Sequence, residues 1–215
     1  MRFHDRRDAG RRLADEVRGL ELPDPVVLGM PRGGVPVAFE VATALCAPMD
    51  VFVARKVGAP MHREWGIGAV AEGGAAVADR AALAMLRLTD SDFARLADVE
   101  RIELARRVAA YRGNRPLVDV AGRDVVLVDD GLATGVTAEA ALRALRTRRP
   151  GRLVLAVPVC ARDTAVRLRR VADDVICAAT PDQFMAVGQW YEHFDQTSDD
   201  EVVDLLERSL DASKG

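Results

Sequence analysis

The chain has 215 residues, a formal net charge of -3 and a pI near 5.7, with 49% hydrophobic and 29% charged residues. At roughly 100–200 residues per domain this reads as a single globular domain, large enough to bury a core without a metal or a disulfide. The charge balance excludes the global basic field that draws nucleic acid or an anionic membrane surface, and no apolar run approaches the roughly 18 residues of a membrane span.

The chain begins MRFHDRRDAGRR, charged throughout and without the apolar segment of a signal peptide. Cys46, Cys160 and Cys177 lie in apolar segments and form no CxxC, which reads as free thiols in a reducing cytoplasm. VVLGM (26–30) predicts a strand, and VPVAFEVATALC (35–46) a helix with Pro36 in its first turn. MDVFVAR (49–55) predicts a second strand, and GIGAVAEGGAAVAD (66–79) a short third strand with a turn at Glu72-Gly73-Gly74 that can continue as a hairpin. A helix follows, with Ser91 and Asp92 as the candidate cap and Phe93, Leu96, Val99, Ile102 and Val108 as its apolar stripe. YRGNRP (111–116) ends it.

Strand and helix then alternate: strand 124–129, helix 136–148, strand 153–159, helix 163–171 and strand 174–179. A last helix starts at Ser198, with Glu201 completing a capping box. Such alternation implies an α/β fold with a largely parallel sheet covered on both faces.

The stretch with the most chemistry is VVLVDDGLATGVT (125–137). Branched apolar residues surface in two acids, at the strand end where such sheets bind ligands. Behind them lies a loop of small residues, Gly131, Leu132, Ala133, Thr134 and Gly135, and then a helix that opens with Val136 and Thr137. Glycines admit close backbone approach, the helix start offers free N–H groups, and the threonines add hydroxyl donors: a cup for a phosphate. Asp129 and Asp130 would repel that phosphate, but they suit a neighbouring diol, whose hydroxyls donate to carboxylates. A phosphate cup beside a diol clamp describes a ribose 5-phosphate. A P-loop is excluded because no lysine follows Gly135, and GMPRGGVP lacks the spacing of a dinucleotide fingerprint.

VVLVDDGLATGVT resembles the phosphoribosyl-pyrophosphate motif of the type I phosphoribosyltransferases, and the chain as a whole is similar to a bacterial subgroup of them with no settled acceptor. The resemblance, strongest over residues 24–180, implies a three-layer α/β/α core, mostly parallel, with one antiparallel strand at 66–71. It implies a single domain over 1–215, a hood from residues 1–23 and 181–197, and an inserted helix at about 92–111. GMPRGGVPVA (29–38) corresponds to the diphosphate loop, where Arg32 offers donors and Gly33 and Gly34 expose amides. Arg55, Lys56 and Arg63 belong to the loop that closes over the diphosphate, with Lys56 and Arg55 alongside Asp129 and Asp130 as the catalytic candidates. Phe184, Trp190 and Tyr191 are the hood aromatics available to stack on an acceptor base.

Function follows from the same resemblance: transfer of a phosphoribosyl group from phosphoribosyl pyrophosphate to a nucleobase-like nitrogen, with release of diphosphate. The Mg²⁺ is expected on substrate oxygens and water rather than on protein ligands. The partners expected are that substrate and an unidentified small-molecule acceptor, with no nucleic acid, no membrane and a homodimeric assembly. Ala133 stands where the hypoxanthine–guanine enzymes carry an acid, which lowers the 6-oxopurine reading. The alternative is a phosphoribosyl-pyrophosphate sensor without turnover; a hydrolase of phosphorylated sugars is a distant third.

Overall fold

A computed structural model of the protein describes residues 2–62 and 65–212. Five short apolar strands form one parallel sheet: β1 (Pro25–Gly29), β2 (Met49–Val51), β6 (Asp124–Val128), β7 (Arg152–Val159) and β8 (Asp174–Ala179), in the order β2-β1-β6-β7-β8. Their side chains alternate between two buried layers, as a pleat of period two requires. Val27, Val126, Val128, Val154 and Ala156 face one layer, while Val26, Leu28, Val125, Leu127, Leu153 and Leu155 face the other. The first layer is covered by α2 (Gly34–Leu45), with α1 (Arg6–Arg18) and α7 (Asp199–Ala212) packed on it; α5 (Val136–Thr147) covers the second. Strand order therefore reverses between β1 and β6, and their crossover helices leave on opposite faces. In open α/β sheets that switch point is where ligands bind.

A second sheet corrects one expectation. The five-stranded sheet is parallel throughout; the strand at 66–71 does not join it. Instead β4 (Gly66–Ala71) pairs antiparallel with β3 (Ala54–Gly58) and β5 (Ala76–Ala78). This small sheet lies between α5 and the long helix α4 (Asp90–Arg112). Ala69 and Ala71 join the layer of α5, whereas Val57 and Val70 pack with Phe93, Ala97 and Leu104 of α4. A Cβ on Gly68 would lie 2.5 Å from the Phe93 ring, so the glycine lets α4 seat closely.

The cap of α4 also differs from the expected one. Thr89 is the N-cap and Asp92 the third helical residue, each bonding the other's backbone N–H in a capping box. The sequence TDSD offers several candidate caps, and only the Thr89–Asp92 spacing allows both bonds. At its other end α4 is tied into the core by Arg112, which donates to both carboxylate oxygens of Glu72 at 3.0 and 2.9 Å and to the Val51 carbonyl at 3.0 Å. Short connections complete the chain: α3 (Arg80–Met85), α6 (Arg162–Leu168) and a 3-10 turn at Val187–Trp190.

Candidate active site

Two loops meet at the carboxyl ends of β1 and β6. The first, residues 30–34, turns back on itself: the Gly34 N–H donates to the Met30 carbonyl at 3.0 Å and the Val35 N–H to the Arg32 carbonyl at 3.1 Å. The Pro31–Arg32 peptide bond is cis. Neither glycine has room for a side chain. The Gly34 amide is engaged within the turn, and a Cβ there would lie 2.7 Å from the Val128 carbonyl and 2.8 Å from Asp129 Cα. A Cβ on Gly33 would lie 2.0 Å from Asp130 Oδ2. Both glycines are required because the loop rests directly on the acid pair.

The second loop carries Asp129 and Asp130. Asp129 Oδ1 accepts the Asp130 N–H at 2.9 Å. Burial pushes the Asp129 carboxyl well above the usual carboxylate range, and the neighbouring Asp130 adds to the shift. Burial also raises Asp130, against the opposing pull of Arg6. Behind the acids the loop is stitched to β7: the Leu132 N–H donates to the Val159 carbonyl at 2.9 Å, and the Ala161 N–H to the Leu132 carbonyl at 2.9 Å. Thr164 Oγ1 donates to the Ala133 carbonyl at 2.6 Å, and Arg167 binds the Thr134 carbonyl together with Glu139.

Gly135 then adopts a left-handed φ of 65° and starts α5 with no side-chain cap. The N–H groups of that first turn are those a bound anion would receive. Thr134 is exposed, and Val136 and Thr137 are half-buried at the lip. The Leu132 side chain is buried and both of its backbone groups are bonded at the end of β7, so Leu132 fixes the loop.

The expected cations separate. Arg55 and Lys56 are neighbours on β3, so their side chains leave opposite faces of the small sheet. Arg55 faces α4, where Nε donates to Glu100 at 2.7 Å. Lys56 lies with Thr137, Gly58 and Pro60 on the wall of a cavity of about 670 Å³, which Arg55 and Arg107 also border. Arg32 sits 3.8 Å from Asp199 at the start of α7, and that carboxylate accepts from Tyr111 Oη at 2.5 Å. Burial, followed by this bond, pushes the Tyr111 hydroxyl up to about 12. Arg63 lies outside the described residues.

The hood aromatics are placed differently from one another. Tyr191 is 1% exposed, its ring against Phe3 and Phe194, and its hydroxyl donates to the Asp130 carbonyl at 2.5 Å. It packs as a strut onto the acid pair and has no open face for a base. Phe184 stacks on Trp190 at 6.4 Å, and Trp190 borders a cavity of about 580 Å³ with Arg2, Gln183 and Met185. The hood is held by the N-terminus: the Phe3 N–H donates to the Trp190 carbonyl, and the Glu192 and His193 N–H groups donate to the Phe3 and His4 carbonyls. The contacts of Arg6, Glu100, Asp199 and Phe194 with the site join residues far apart in sequence and carry no local signal. Among the described residues no three His, Cys, Asp or Glu side chains gather in a metal-ligating group, and no helix is long and apolar enough to cross a membrane.

The diglycine turn, the acid pair and the uncapped helix start meet at the switch point of a parallel α/β sheet, the place where such sheets take ligands. The phosphoribosyl transferase domain matches residues 3–193, and the chain belongs to that family. A Mycobacterium tuberculosis H37Rv protein named "Putative phosphoribosyl transferase Rv0571c" is 49% identical over 96% of this chain. The chain spans about half the length of that curated relative, 47% of it. The crystal structure of TT1426 from Thermus thermophilus matches with a TM-score of 0.82 and 46% identity, covering 97% of this chain and 99% of that one. The AQ2163 protein of Aquifex aeolicus, at 13% identity and a TM-score of 0.52 over 85% of this chain and 78% of its own, shares the fold.

Proposed function

We propose that the protein transfers a phosphoribosyl group from phosphoribosyl pyrophosphate to a nucleobase-like nitrogen acceptor in the cytoplasm. The observation that carries the reading is the contact of the 30–34 turn with the Asp129–Asp130 pair beside the uncapped start of α5. A 5-phosphate fits over residues 131–137, the ribose hydroxyls donate to Asp129 and Asp130, and the C1 diphosphate lies toward Arg32 and Lys56. The C1–O bond to diphosphate breaks with its electron pair leaving on the diphosphate. The acceptor nitrogen's lone pair forms the new C1–N bond, and that nitrogen gives up its proton to solvent or base.

The residues present fit a substrate-borne Mg²⁺: the adjacent carboxylates of Asp129 and Asp130 could accept from the several waters such an ion retains. When bound, the ion supplies charge neutralisation on the diphosphate. The protein's part is to orient C1, exclude water and place cations where charge develops, with Lys56 in that role. Arg55, paired with Glu100, serves the wall rather than the leaving group.

A screen of nucleobases and small amines with phosphoribosyl pyrophosphate and Mg²⁺, read by diphosphate release, tests the reading. Base-dependent release supports it. Binding of phosphoribosyl pyrophosphate with no release for any acceptor would replace it with the sensor reading.

A further inference from the structure

Arg6 is the first residue of α1, with Asp5 as the N-cap accepting from the Asp8 N–H at 2.7 Å. A cation at a helix N-terminus runs against the helix dipole, so α1 itself gains nothing from an arginine there. The side chain instead turns toward the acid pair. Its Nε donates to Asp130 Oδ2 at 2.9 Å, its Nη1 donates to the Asp195 carbonyl at 2.6 Å, and its guanidinium lies 4.0 Å from the centre of the Phe194 ring. Both members of the Arg6–Asp130 pair are largely shielded from solvent, at 12% and 15% side-chain exposure. Tyr191 reaches the backbone of the same aspartate. Elements from both ends of the chain thus grip Asp130, one by its carboxylate and one by its carbonyl.

We infer that Arg6 is a positioning residue for ribose recognition: anchored on Phe194 and Asp195, it fixes the Asp130 carboxylate in the orientation that accepts a sugar hydroxyl. The inference rests on the reading of Asp129 and Asp130 as the ribose clamp. Arg6 occupies one lone-pair direction of Oδ2 and leaves the remaining carboxylate positions for a sugar hydroxyl, since an ionised carboxylate offers about four acceptor sites. Without Arg6, Asp130 would lose the guanidinium paired with it beside a second carboxylate, and would be free to rotate. The charged and titratable groups around the guanidinium are Asp129 and Asp130 from the clamp, together with Asp5, Arg7, His193, Asp195 and Glu201, which line the cavity of about 270 Å³ beside it.

The test compares two probes on the full chain. Inorganic phosphate reads the cup alone, whereas ribose 5-phosphate reads cup and clamp together; both are titrated by calorimetry or phosphorus NMR. Wild type should bind ribose 5-phosphate more tightly than phosphate. Arg6→Gln should weaken ribose 5-phosphate by about 10–100-fold, the range for losing a charge-assisted hydrogen bond, and leave phosphate unchanged. Arg6→Lys should restore part of the difference, and Phe194→Leu, which removes the ring beneath the guanidinium, should fall between. An unchanged ratio of the two affinities in Arg6→Gln would overturn the inference, as would an equal loss of both probes, the mark of a purely structural role. If wild type itself showed no preference for the sugar, the clamp reading would fail with it.

Discussion

Arg55 and Glu100 join the small antiparallel sheet to the long helix: Nε lies 2.7 Å and Nη2 2.6 Å from the same carboxylate oxygen. Glu103, one turn further along α4, lies 3.9 Å from Nη1 of Arg55 and is held low, to about 2, chiefly by Arg106 and Arg107. The arginine expected beside a departing diphosphate thus has its guanidinium on a carboxylate of α4. A double-mutant cycle of Arg55→Ala and Glu100→Ala by denaturant unfolding should give a coupling of about 0.5–1.5 kcal/mol, above the exposed-pair median because both groups are about four-fifths shielded. Zero coupling would release Arg55 for the diphosphate after all.

Asp129→Asn should stabilise the fold while removing binding of phosphoribosyl pyrophosphate. The folded Asp129 carboxyl is raised by burial and by Asp130, so in the pH range between the ordinary value and the raised one the native state binds more protons than the unfolded chain. Stability contributed by that proton is full below the ordinary carboxylate range and is lost as pH rises toward the raised value. Asparagine carries no proton to lose and can still accept the Asp130 N–H. Thermal melts should show a gain at pH 7, on the scale of about 0.5–2 kcal/mol for such stabilising changes, shrinking toward pH 4. A variant less stable than wild type at pH 7 would contradict this.

Lys56→Ala should lower kcat by about 10²–10³ and raise KM by no more than that, as for the loss of one well-placed group that acts mainly in the transition state. Steady-state kinetics with the acceptor found by the screen checks it. Wild-type kcat with a raised KM would make Lys56 a ground-state binder only.

Gly33→Ala should damage the site more than its size suggests. The new methyl would meet Asp130 Oδ2 at 2.0 Å, forcing the carboxylate or the turn to move. Overpacking of this kind costs about 1–3 kcal/mol, and the displaced clamp should lose ribose 5-phosphate while the cup keeps inorganic phosphate. Calorimetry with the same two probes reads both effects.

Glu72→Ala should cost about 3–5 kcal/mol, because it leaves Arg112 charged and unpaired among buried atoms. Replacing both partners, Glu72→Leu with Arg112→Met, should recover most of that loss. Urea unfolding of the single and double variants checks it, and a double variant as unstable as Glu72→Ala would refute it.

What the sequence revealed was local. The alternation of VVLVDD, its two acids and the small-residue loop lie within thirteen residues, so one strand, its turn and its helix could be read together. Sheet membership was not local. The hairpin of 66–79 is local and legible, but its further partner is β3 and not the main sheet, a choice set by packing between α4 and α5. Helix α1 went unassigned because its buried face, Ala9, Gly10, Leu13, Ala14 and Val17, is built partly from small residues set among arginines. Tyr191 is a candidate to stack on a base because the resemblance places a hood at 181–197, yet it is among the largest fully buried side chains. The Arg6–Asp130 pair spans 124 residues and has no signature that either segment carries alone.

That span bears on how the protein is made. The backbone bridge between Phe3 and Tyr191 needs segments near residues 3 and 191 at once, and the groups that anchor Arg6 lie at Phe194 and Asp195. A nascent chain emerging from the ribosome can complete β1, β6, β7 and β8, and with them the phosphate cup, before Tyr191 exists. Until then Asp129 and Asp130 stand at an open strand end without their tyrosine strut, and Arg6 lacks the ring and the carbonyl that anchor it. Contacts of such long separation close late, since loop-closure entropy must be met first. Ribose recognition should therefore be among the last properties the chain acquires, after its sheet and its phosphate cup are already in place.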